Sequence, residues 1–532
     1  MQKITLRKKA VYNKIMMHRK MYEEKRRCNF INIKNLDLSK YKDEIEQLIS
    51  LETLENKILY MTKYLENNIK PVDIFSNLYF SNENIELNDL AKYYLINILA
   101  ILDKKVMNEI FPDTNKKNNI LIITKEHPLI MSKKLFEIFF SILCKIKMME
   151  VQYTVLELLL NYSYGSYNFV AHCIEDKKYI KILFKLTYIN NNEIINNSII
   201  ILDNILSSEI CSNKDLAEII QDSPIIERCK EFLTNNKINN DVKINSLLLL
   251  YSMSEKIEHK YYSDYFIDFI PVFYNLRSLN KKNEEIFWWI IQICEKITDD
   301  DNICISIKDS GLGNIFFHYL ETSYFERKFV VEILKIFTNL FNVDEIIIYF
   351  MQYTTVIDVF IKIINNYMNT SNEKDNKLLF RLIYCLSNLA TGPPDTQYTI
   401  SRSKIPKLII QIMKEKPCND IYFEGIHFFY NILSECNKET FQLISVLHPF
   451  EIFAKGLEMT NLVDHIEIIL KAIIYLMNKN KAIYYTIENL KKEFYACLIQ
   501  KRLENLTLHK NEQISSLAEE ALRIIEDKMN TE

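Results

Sequence analysis

Residues 384–392 read YCLSNLATG, and this stretch decides the fold because its pattern recurs along the chain. The apolar residues between Leu382 and Leu389 recur at helical spacing, which predicts a helix with one buried stripe. Asn388 lies one turn after Tyr384, on the same side of that helix. Asparagine is a poor helix former, because its side chain competes for backbone hydrogen bonds. An amide that recurs at this place therefore indicates a specific role.

Similar apolar segments place a ladder of polar residues along the chain. They are LELLLNYSYGS with Asn161, IIILDNILSS with Asn204, LLLLYSMSE with Tyr251, WWIIQICEK with Gln292, LKIFTNLFN with Asn339, YCLSNLATG with Asn388 and HFFYNILSE with Asn431. The steps between these residues are 43, 47, 41, 47, 49 and 43. That period is typical of armadillo and HEAT repeats, at roughly 40–47 residues. Within a period, a short helix and a medium helix precede the marked helix, which is the three-helix armadillo order.

The pattern predicts an all-α fold: a right-handed superhelical solenoid of about ten armadillo repeats. Residues 90–105 are predicted to form an earlier third helix, and residues 465–479 and 516–529 are predicted to belong to the last repeats. We expect the third helices to line one concave groove, with Asn388 facing it. The predicted domains are a basic N-terminal helix at 1–30, a linker with the first helices at 31–70, and the solenoid at 71–532.

Composition argues against an enzyme. With only 6 glycines among 532 residues, the chain has no phosphate loop, dinucleotide fingerprint or nucleophile elbow. The paired carboxylates Glu23–Glu24 and Asp299–Asp301 are interpreted as solvated charge. The 11 cysteines form no CxxC pair, and Cys144, Cys294 and Cys385 are predicted to be reduced core residues. We therefore expect no catalytic residues, no cofactor and no metal.

Targeting signals are also lacking. No secretory signal is evident at the N-terminus, and no uninterrupted apolar run approaches 20 residues. The expected localisation is the cytoplasm and nucleus, without membrane association. The basic N-terminus matches no recognised nucleic-acid-binding motif, so specific nucleic-acid binding is not expected.

The asparagine ladder resembles that of the importin-alpha family, whose third helices carry Trp-x-x-x-Asn pairs. In that family the indoles stack on the stems of basic side chains, while the amides hold the backbone of an extended nuclear localisation signal. The resemblance implies a nuclear-import adaptor that binds Lys/Arg-rich cargo peptides in its groove. The implied cargo-binding residues are Asn161, Asn204, Trp288, Gln292, Asn339, Tyr384, Asn388, His427 and Asn431.

The chain departs from the family pattern in the early repeats. One turn before each ladder residue it has Glu157, Ile200, Leu247, Trp288, Lys335, Tyr384 and His427. Tryptophan is thus missing from the second, third and fourth repeats, whereas Tyr384 and His427 keep aromatic character in the later ones. Basic peptides are therefore expected to prefer the sixth-to-eighth-repeat groove. The pairing of Trp289 with Ile293 remains an alternative to that of Trp288 with Gln292.

Residues 1–29 have a net charge of +8, whereas the remainder of the chain has −11. The stretch RKMYEEKRRCN is similar to the end of the importin-beta-binding segment of importin-alpha. The implied carrier-binding and autoinhibitory residues are Arg7, Lys8, Lys9, Arg19, Lys20, Lys25, Arg26 and Arg27. While free, the segment is expected to fold back onto the groove. The alternative is an armadillo scaffold of another class, with a non-basic partner and no part in transport.

A helical peptide of residues 3–30 is predicted to bind an importin-beta-type carrier by charge attraction. Charge reversal at Arg19, Lys20, Arg26 and Arg27 should then weaken the binding, measured by fluorescence anisotropy at low salt. Binding that survives both the reversal and high salt would argue against electrostatic capture.

Overall fold

The computed structural model describes residues 133–145, 149–165, 167–276, 284–322, 326–352, 355–370, 372–416, 418–478, 492–497 and 499–529. The predicted basic helix at 1–30, the linker at 31–70 and the third helix at 90–105 lie outside these residues. Within them the chain forms 25 α-helices and no strand. The chain divides into two compact units, Met1–Asp215 and Leu216–Glu532.

In the first unit, five helices are described. They are α1 (Lys133–Lys145), α2 (Met149–Gly165), α3 (Tyr167–Glu175), α4 (Lys178–Leu186) and α5 (Asn192–Ser207). Helix α6 (Asn213–Asp222) begins at the end of this unit.

The second unit contains the remaining helices. They are α7 (Ile225–Thr234), α8 (Asn240–Ser254), α9 (Tyr262–Phe266), α10 (Ile270–Asn275), α11 (Glu284–Ile297), α12 (Asp301–Asp309), α13 (Leu312–Glu321), α14 (Arg327–Leu340), α15 (Asp344–Gln352), α16 (Thr355–Tyr367), α17 (Glu373–Leu389), α18 (Pro394–Arg402), α19 (Ile405–Glu415), α20 (Asn419–Glu435), α21 (Lys438–Ser445), α22 (Pro449–Met459), α23 (Val463–Asn478), α24 (Ile499–Leu506) and α25 (Glu512–Met529). Short 3₁₀ turns at His259–Tyr261 and Ile267–Phe269 flank α9.

The helices repeat in the order short, medium, long, and the long third helices are α2, α5, α8, α11, α14, α17, α20, α23 and α25. In the first unit α2 packs on α5. In the second unit each third helix from α8 to α25 packs on the next one. The predicted third helices at 465–479 and 516–529 are thus present as α23 and α25. The fold is an all-α armadillo-repeat solenoid, as the period predicted.

Several third helices begin at an asparagine whose side chain caps the helix. The Oδ1 of Asn191 accepts a hydrogen bond from the backbone of Glu193 at 2.9 Å, and Asn239 accepts one from Val242 at 3.0 Å. Asn372 and Asn511 cap α17 and α25 in the same way. Each cap satisfies backbone donors that the first helical turn leaves unpaired. The caps therefore account for asparagines that do not belong to the ladder.

Close packing explains the glycine in the sequence LSNLATG. A Cβ atom at Gly392 would lie 2.7 Å from the Cγ2 atom of Ile347. Ile347 belongs to α15, the first helix of the repeat that ends with α17. Gly311, between α12 and α13, has a φ of 78°, a left-handed conformation that other residues rarely adopt. Gly311 lies in a turn within a repeat, whereas Gly392 lies in the turn between α17 and the first helix of the next repeat, α18.

The core consists mainly of Ile, Leu and Phe side chains from all three helices of each repeat. Cys294 and Cys385 are buried in it, as predicted. The same prediction was wrong for Cys144, which is exposed. It lies next to the last residue of α1, where the apolar stripe of the helix ends before Lys145.

In the described part of the chain, no single helix has the length and apolar character needed to span a membrane. Helices α15 and α16, which are bent by 86° about a short break, satisfy that criterion as a pair.

Substitution of Gly456 by alanine should destabilise the second unit. The added Cβ would lie 2.5 Å from Ile426 and 3.0 Å from Ile469, and both side chains are buried. Overpacking of this kind costs roughly 1–3 kcal/mol, partly offset by about 1 kcal/mol of helix propensity. Denaturant unfolding measures the difference. Ser516→Ala on the exposed side of α25 is the control, and equal stabilities of the two variants would contradict the packing.

Candidate peptide-binding face

The half-exposed residues of successive third helices form a continuous surface within each unit, which we call the third-helix face. The predicted cargo-binding residues all lie on it. Asn161, Asn204, Trp288, Gln292, Asn339, Asn388, His427 and Asn431 are half-buried, and Tyr384 is 37% exposed. The predicted carrier-binding residues, from Arg7 to Arg27, lie outside the described residues.

The ladder asparagines of the later repeats donate hydrogen bonds to the preceding third helix. The Nδ2 of Asn388 donates to the carbonyl of Thr338 at 2.9 Å and to the Oδ1 of Asn342 at 2.9 Å. The Nδ2 of Asn431 donates to the carbonyl of Ser387 at 2.9 Å and to its hydroxyl at 3.1 Å. Because a backbone carbonyl can only accept, the amide nitrogen must point inward in both cases.

The earlier ladder asparagines make the same kind of contact through side chains. Asn204 donates to the hydroxyl of Ser163 at 2.8 Å. Asn339 donates to the hydroxyl of Thr298 at 3.1 Å and to the carboxylate of Asp299 at 3.0 Å. The ladder thus ties third helices to their predecessors over separations of about forty to fifty residues. The amide nitrogens of Asn339, Asn388 and Asn431 each have two acceptors within the protein, and that of Asn204 has one. The amide oxygens of these residues face no donor in these hydrogen bonds and can accept one from a ligand.

The early repeats offer few groups to a basic peptide. Ile200 and Leu247, which stand where the family has tryptophan, are 2% and 0% exposed, so they belong to the core. Tyr251 packs its ring against Trp289, with centroids 5.5 Å apart, and donates its hydroxyl hydrogen to Glu255. On the described helices α5 and α8, no ring is as exposed as that of Tyr384.

The two tryptophans of α11 are both half-buried. Trp288 contacts Phe329 edge-on, with centroids 5.2 Å apart, and the ammonium of Lys328 lies 5.6 Å from its ring. Gln292, one turn later, is half-buried, whereas Ile293 is fully buried. The pairing of Trp288 with Gln292 is therefore the one that faces outward. The ring of Trp288 already has a cation of the protein itself beside it.

Lys335 also has partners within the protein. Its Nζ lies 2.6 Å from Glu332 and 3.6 Å from Glu295. The three side chains are largely shielded from solvent, which makes the pairing stronger than that of an exposed ion pair. Cations of the chain itself thus occupy the face on α11 and α14.

The face on α17 and α20 differs, because α17 carries an exposed aromatic ring and α20 carries a largely shielded acid. Tyr384 on α17 is exposed, and Arg381 and Ser387 flank it by about one turn on either side. Both of these residues act on Glu424 of α20. Burial raises the pKa of Glu424 to about 7, and a hydrogen bond from Ser387 and the charge of Arg381 oppose that effect. The carboxylate of Glu424 is thus poorly solvated, and Ser387 and Arg381 make up only part of the lost hydration.

His427 lies one turn after Glu424 on α20. Burial lowers its pKa below the ordinary value, and the charge of His465 on α23 lowers it further. The ring of His465 stacks on Phe423, with centroids 4.0 Å apart, and its Nδ1 is 3.3 Å from the hydroxyl of Thr460. His427 therefore presents a neutral imidazole at neutral pH.

Sequence reasoning did not identify Glu424 as a site residue. Its position relative to the ladder was readable, because it precedes Asn431 by two helical turns and His427 by one. Its significance depends on burial between two third helices, and no spacing pattern shows that burial. Tyr384, in contrast, was singled out by the sequence pattern, and its side chain is exposed on α17.

Comparisons with known proteins agree with the fold. The crystal structure of an engineered protein is similar to this chain over 90% of this chain and 97% of the engineered chain, with a TM-score of 0.62 and 14% identity. A designed armadillo repeat protein in complex with the peptide (KR)4 matches 48% of this chain and 98% of its own, with a TM-score of 0.41 and 14% identity. At such low identity the first likeness concerns the fold alone. No protein-family model and no curated protein matches the sequence.

Replacement of Asn388 by alanine should lower stability, because it leaves the carbonyl of Thr338 and the side chain of Asn342 without this donor. We expect a loss of roughly 1–3 kcal/mol in denaturant unfolding. Asn365→Ala is the matched control, since Asn365 is an exposed asparagine in the last turn of α16, as Asn388 is in the last turn of α17. If both variants unfold at the same denaturant concentration, the amide does not tie α17 to α14.

Proposed function

We propose that this chain is a non-enzymatic adaptor that holds an extended basic segment of a partner protein along its third-helix face. In this proposal the segment is a Lys/Arg-rich nuclear localisation signal, and residues 1–30 couple the loaded adaptor to an importin-beta-type carrier. Such an adaptor would work in the cytoplasm and the nucleus. The armadillo solenoid supports the binding of a protein segment in general, because stacked repeats form extended surfaces of the kind that bind such segments.

One observation carries the choice of a basic ligand: Tyr384 is exposed on α17, between Arg381 and Ser387, the two residues that act on the carboxyl of Glu424. A lysine or arginine has an apolar stem that can pack on a ring and a charge that the ring face attracts. The same positive charge would stabilise the ionised carboxylate of Glu424, which burial destabilises. The oxygens of Asn388 and Asn431, one turn beyond the face residues, supply acceptors for the backbone of an extended segment.

The face on α17 and α20 is proposed as the main site. On α11 and α14, Lys328 and Lys335 already occupy the positions beside Trp288 and the two acids. At the earlier positions Ile200 and Leu247 are part of the core. In the later repeats a basic segment would meet the exposed ring of Tyr384 and the incompletely compensated carboxyl of Glu424.

A second candidate is a scaffold that takes no part in transport. The amide hydrogen bonds favour it, because a ladder that ties repeats together would persist without any cargo. In that case Tyr384 would be an ordinary exposed residue, and a basic peptide would not depend on it.

Tyr384→Ala should weaken binding of a basic octapeptide by roughly 0.5–2 kcal/mol, or about 2- to 30-fold, because the ring contact is lost. Fluorescence anisotropy with the full chain at mildly alkaline pH measures the change. Tyr188→Ala removes another exposed tyrosine away from the third helices and should leave affinity unchanged. Glu157→Ala tests the early face and should have the smaller effect of the two face variants.

Two results would contradict this proposal. If the basic octapeptide does not bind, or if Tyr384→Ala and Tyr188→Ala bind it equally well, the scaffold candidate gains. If Glu157→Ala weakens binding of the basic octapeptide more than Tyr384→Ala does, the site lies in the early repeats.

A further inference from the structure

The third-helix face of α11 and α14 carries a cluster of four charged side chains. Glu295 and Lys296 belong to α11, whereas Glu332 and Lys335 belong to α14. The Nζ of Lys335 donates a hydrogen bond to the carboxylate of Glu332 at 2.6 Å and lies 3.6 Å from that of Glu295. The other carboxylate oxygen of Glu295 lies 3.4 Å from the Nζ of Lys296. The two carboxylates and the two ammonium groups therefore balance one another.

All four side chains are largely shielded from solvent, with exposed fractions between 16% and 21%. At partly shielded positions, water and salt weaken an ion pair less than they do at an open surface. A shielded carboxylate has also lost hydration, which a nearby cation replaces. Among the described residues, Lys335 is the only cation at ion-pair distance from Glu332. Glu332 therefore depends on Lys335 for its charge balance.

Lys335 stands at the position on α14 that Tyr384 has on α17. Each of the two residues precedes a ladder asparagine by one turn. The side chain of Lys335 has the same stem and ammonium group as a lysine of a bound segment, and it places its charge between Glu295 and Glu332. Lys335 thus takes, from within the chain, the place that a ligand lysine would take between these two acids.

We infer that Glu295 and Glu332 form a second cation site on the third-helix face, and that Lys335 keeps this site closed to basic segments. Lys335 is then a specificity-determining residue, because it confines a basic segment to the face on α17 and α20. This inference rests on the proposed function, since it concerns which part of the same face a basic segment can reach.

The site is closed because an incoming cation has nothing to gain there. A ligand ammonium must first displace Lys335, so one ion pair is exchanged for another of the same kind. The ligand also loses the hydration of its charge and the freedom of its side chain. Without the ammonium of Lys335, Glu332 would lack a cation among the described residues, and a ligand cation would then supply the missing charge.

Lys335→Met tests the inference, because methionine has an unbranched side chain and no charge. The probe is a fluorescein-labelled octapeptide of alternating lysine and arginine, whose affinity for the full chain is measured by anisotropy at low salt. The variant should bind it roughly 3- to 10-fold more tightly than the wild-type chain, the size expected of one partly shielded ion pair. Lys335→Gln is measured in parallel, since its amide can still donate a hydrogen bond to Glu332 and perturbs the fold less.

Lys308→Met is the matched control. Lys308 also lies between two carboxylates, that of Asp309 at 3.1 Å and that of Glu345, but it belongs to the first helix α12. Its replacement makes the same change in net charge away from the third-helix face, and affinity for the octapeptide should stay within about twofold of the wild-type value. Circular dichroism shows that each variant is folded.

A double variant, Lys335→Met with Glu332→Gln, identifies the carboxylate that is responsible. It has the net charge of the wild-type chain, and the gain in affinity should disappear with the acid. If the double variant keeps the gain, Glu332 is not part of a cation site and the inference is wrong.

The remaining outcomes separate the inference from the proposed function. Unchanged or weaker binding by both single variants of Lys335, while wild-type binding still depends on Tyr384, would overturn the inference and leave the proposed function in place. Equal gains in Lys335→Met and Lys308→Met would assign the effect to net charge and also overturn the inference. Binding by the variants of Lys335 without any binding by the wild-type chain would support the second site and contradict the proposed main site. No binding by any of these chains would overturn both.

Discussion

The hydrogen bond from an asparagine amide to the preceding third helix is the interaction on which the rest of the second unit depends. A single three-helix repeat has too little apolar surface to be stable alone, so it must bury one face against each neighbour. Apolar contacts between third helices are not directional and leave their axial register weakly defined. The amide of Asn388 defines it, because its two donors reach the carbonyl of Thr338 and the side chain of Asn342 only in one register.

This constraint limits what the third-helix face can offer a ligand. An amide whose hydrogens serve the stack presents only its oxygen, so the ladder can accept hydrogen bonds from a bound backbone but cannot donate to it without breaking internal bonds. The specificity of the face must then come from the residues between the asparagines. On α14 those residues are already paired, through Lys335 with Glu332 and Glu295. On α17 and α20 they are Tyr384, whose ring is exposed, and Glu424, whose charge Arg381 balances only in part.

The repeat could be predicted from sequence because it depends on spacing, and spacing is visible in one dimension. The marked helices and their order followed from a period that the described part of the chain keeps. The partners of the amides could not be predicted, because each lies about forty to fifty residues away and several are backbone carbonyls, which no side-chain pattern identifies. The wrong assignment of Cys144 has a similar cause. Its apolar neighbours predicted burial, but only the structure shows where the neighbouring helices stop covering α1.

The same stacking explains why an acid on this face is poorly solvated. Third helices must lie close together for Asn431 to reach Ser387, and at that distance they exclude water from side chains that leave the helix between them. Glu424 is such a side chain, and the loss of hydration is what raises its pKa. A well-stacked pair of repeats therefore creates an acid that gains more from a ligand cation than an exposed acid would, since less hydration is lost when the cation arrives. Contacts that stabilise the solenoid and contacts that would attract a basic segment thus arise from one geometric requirement, the close approach of α17 and α20.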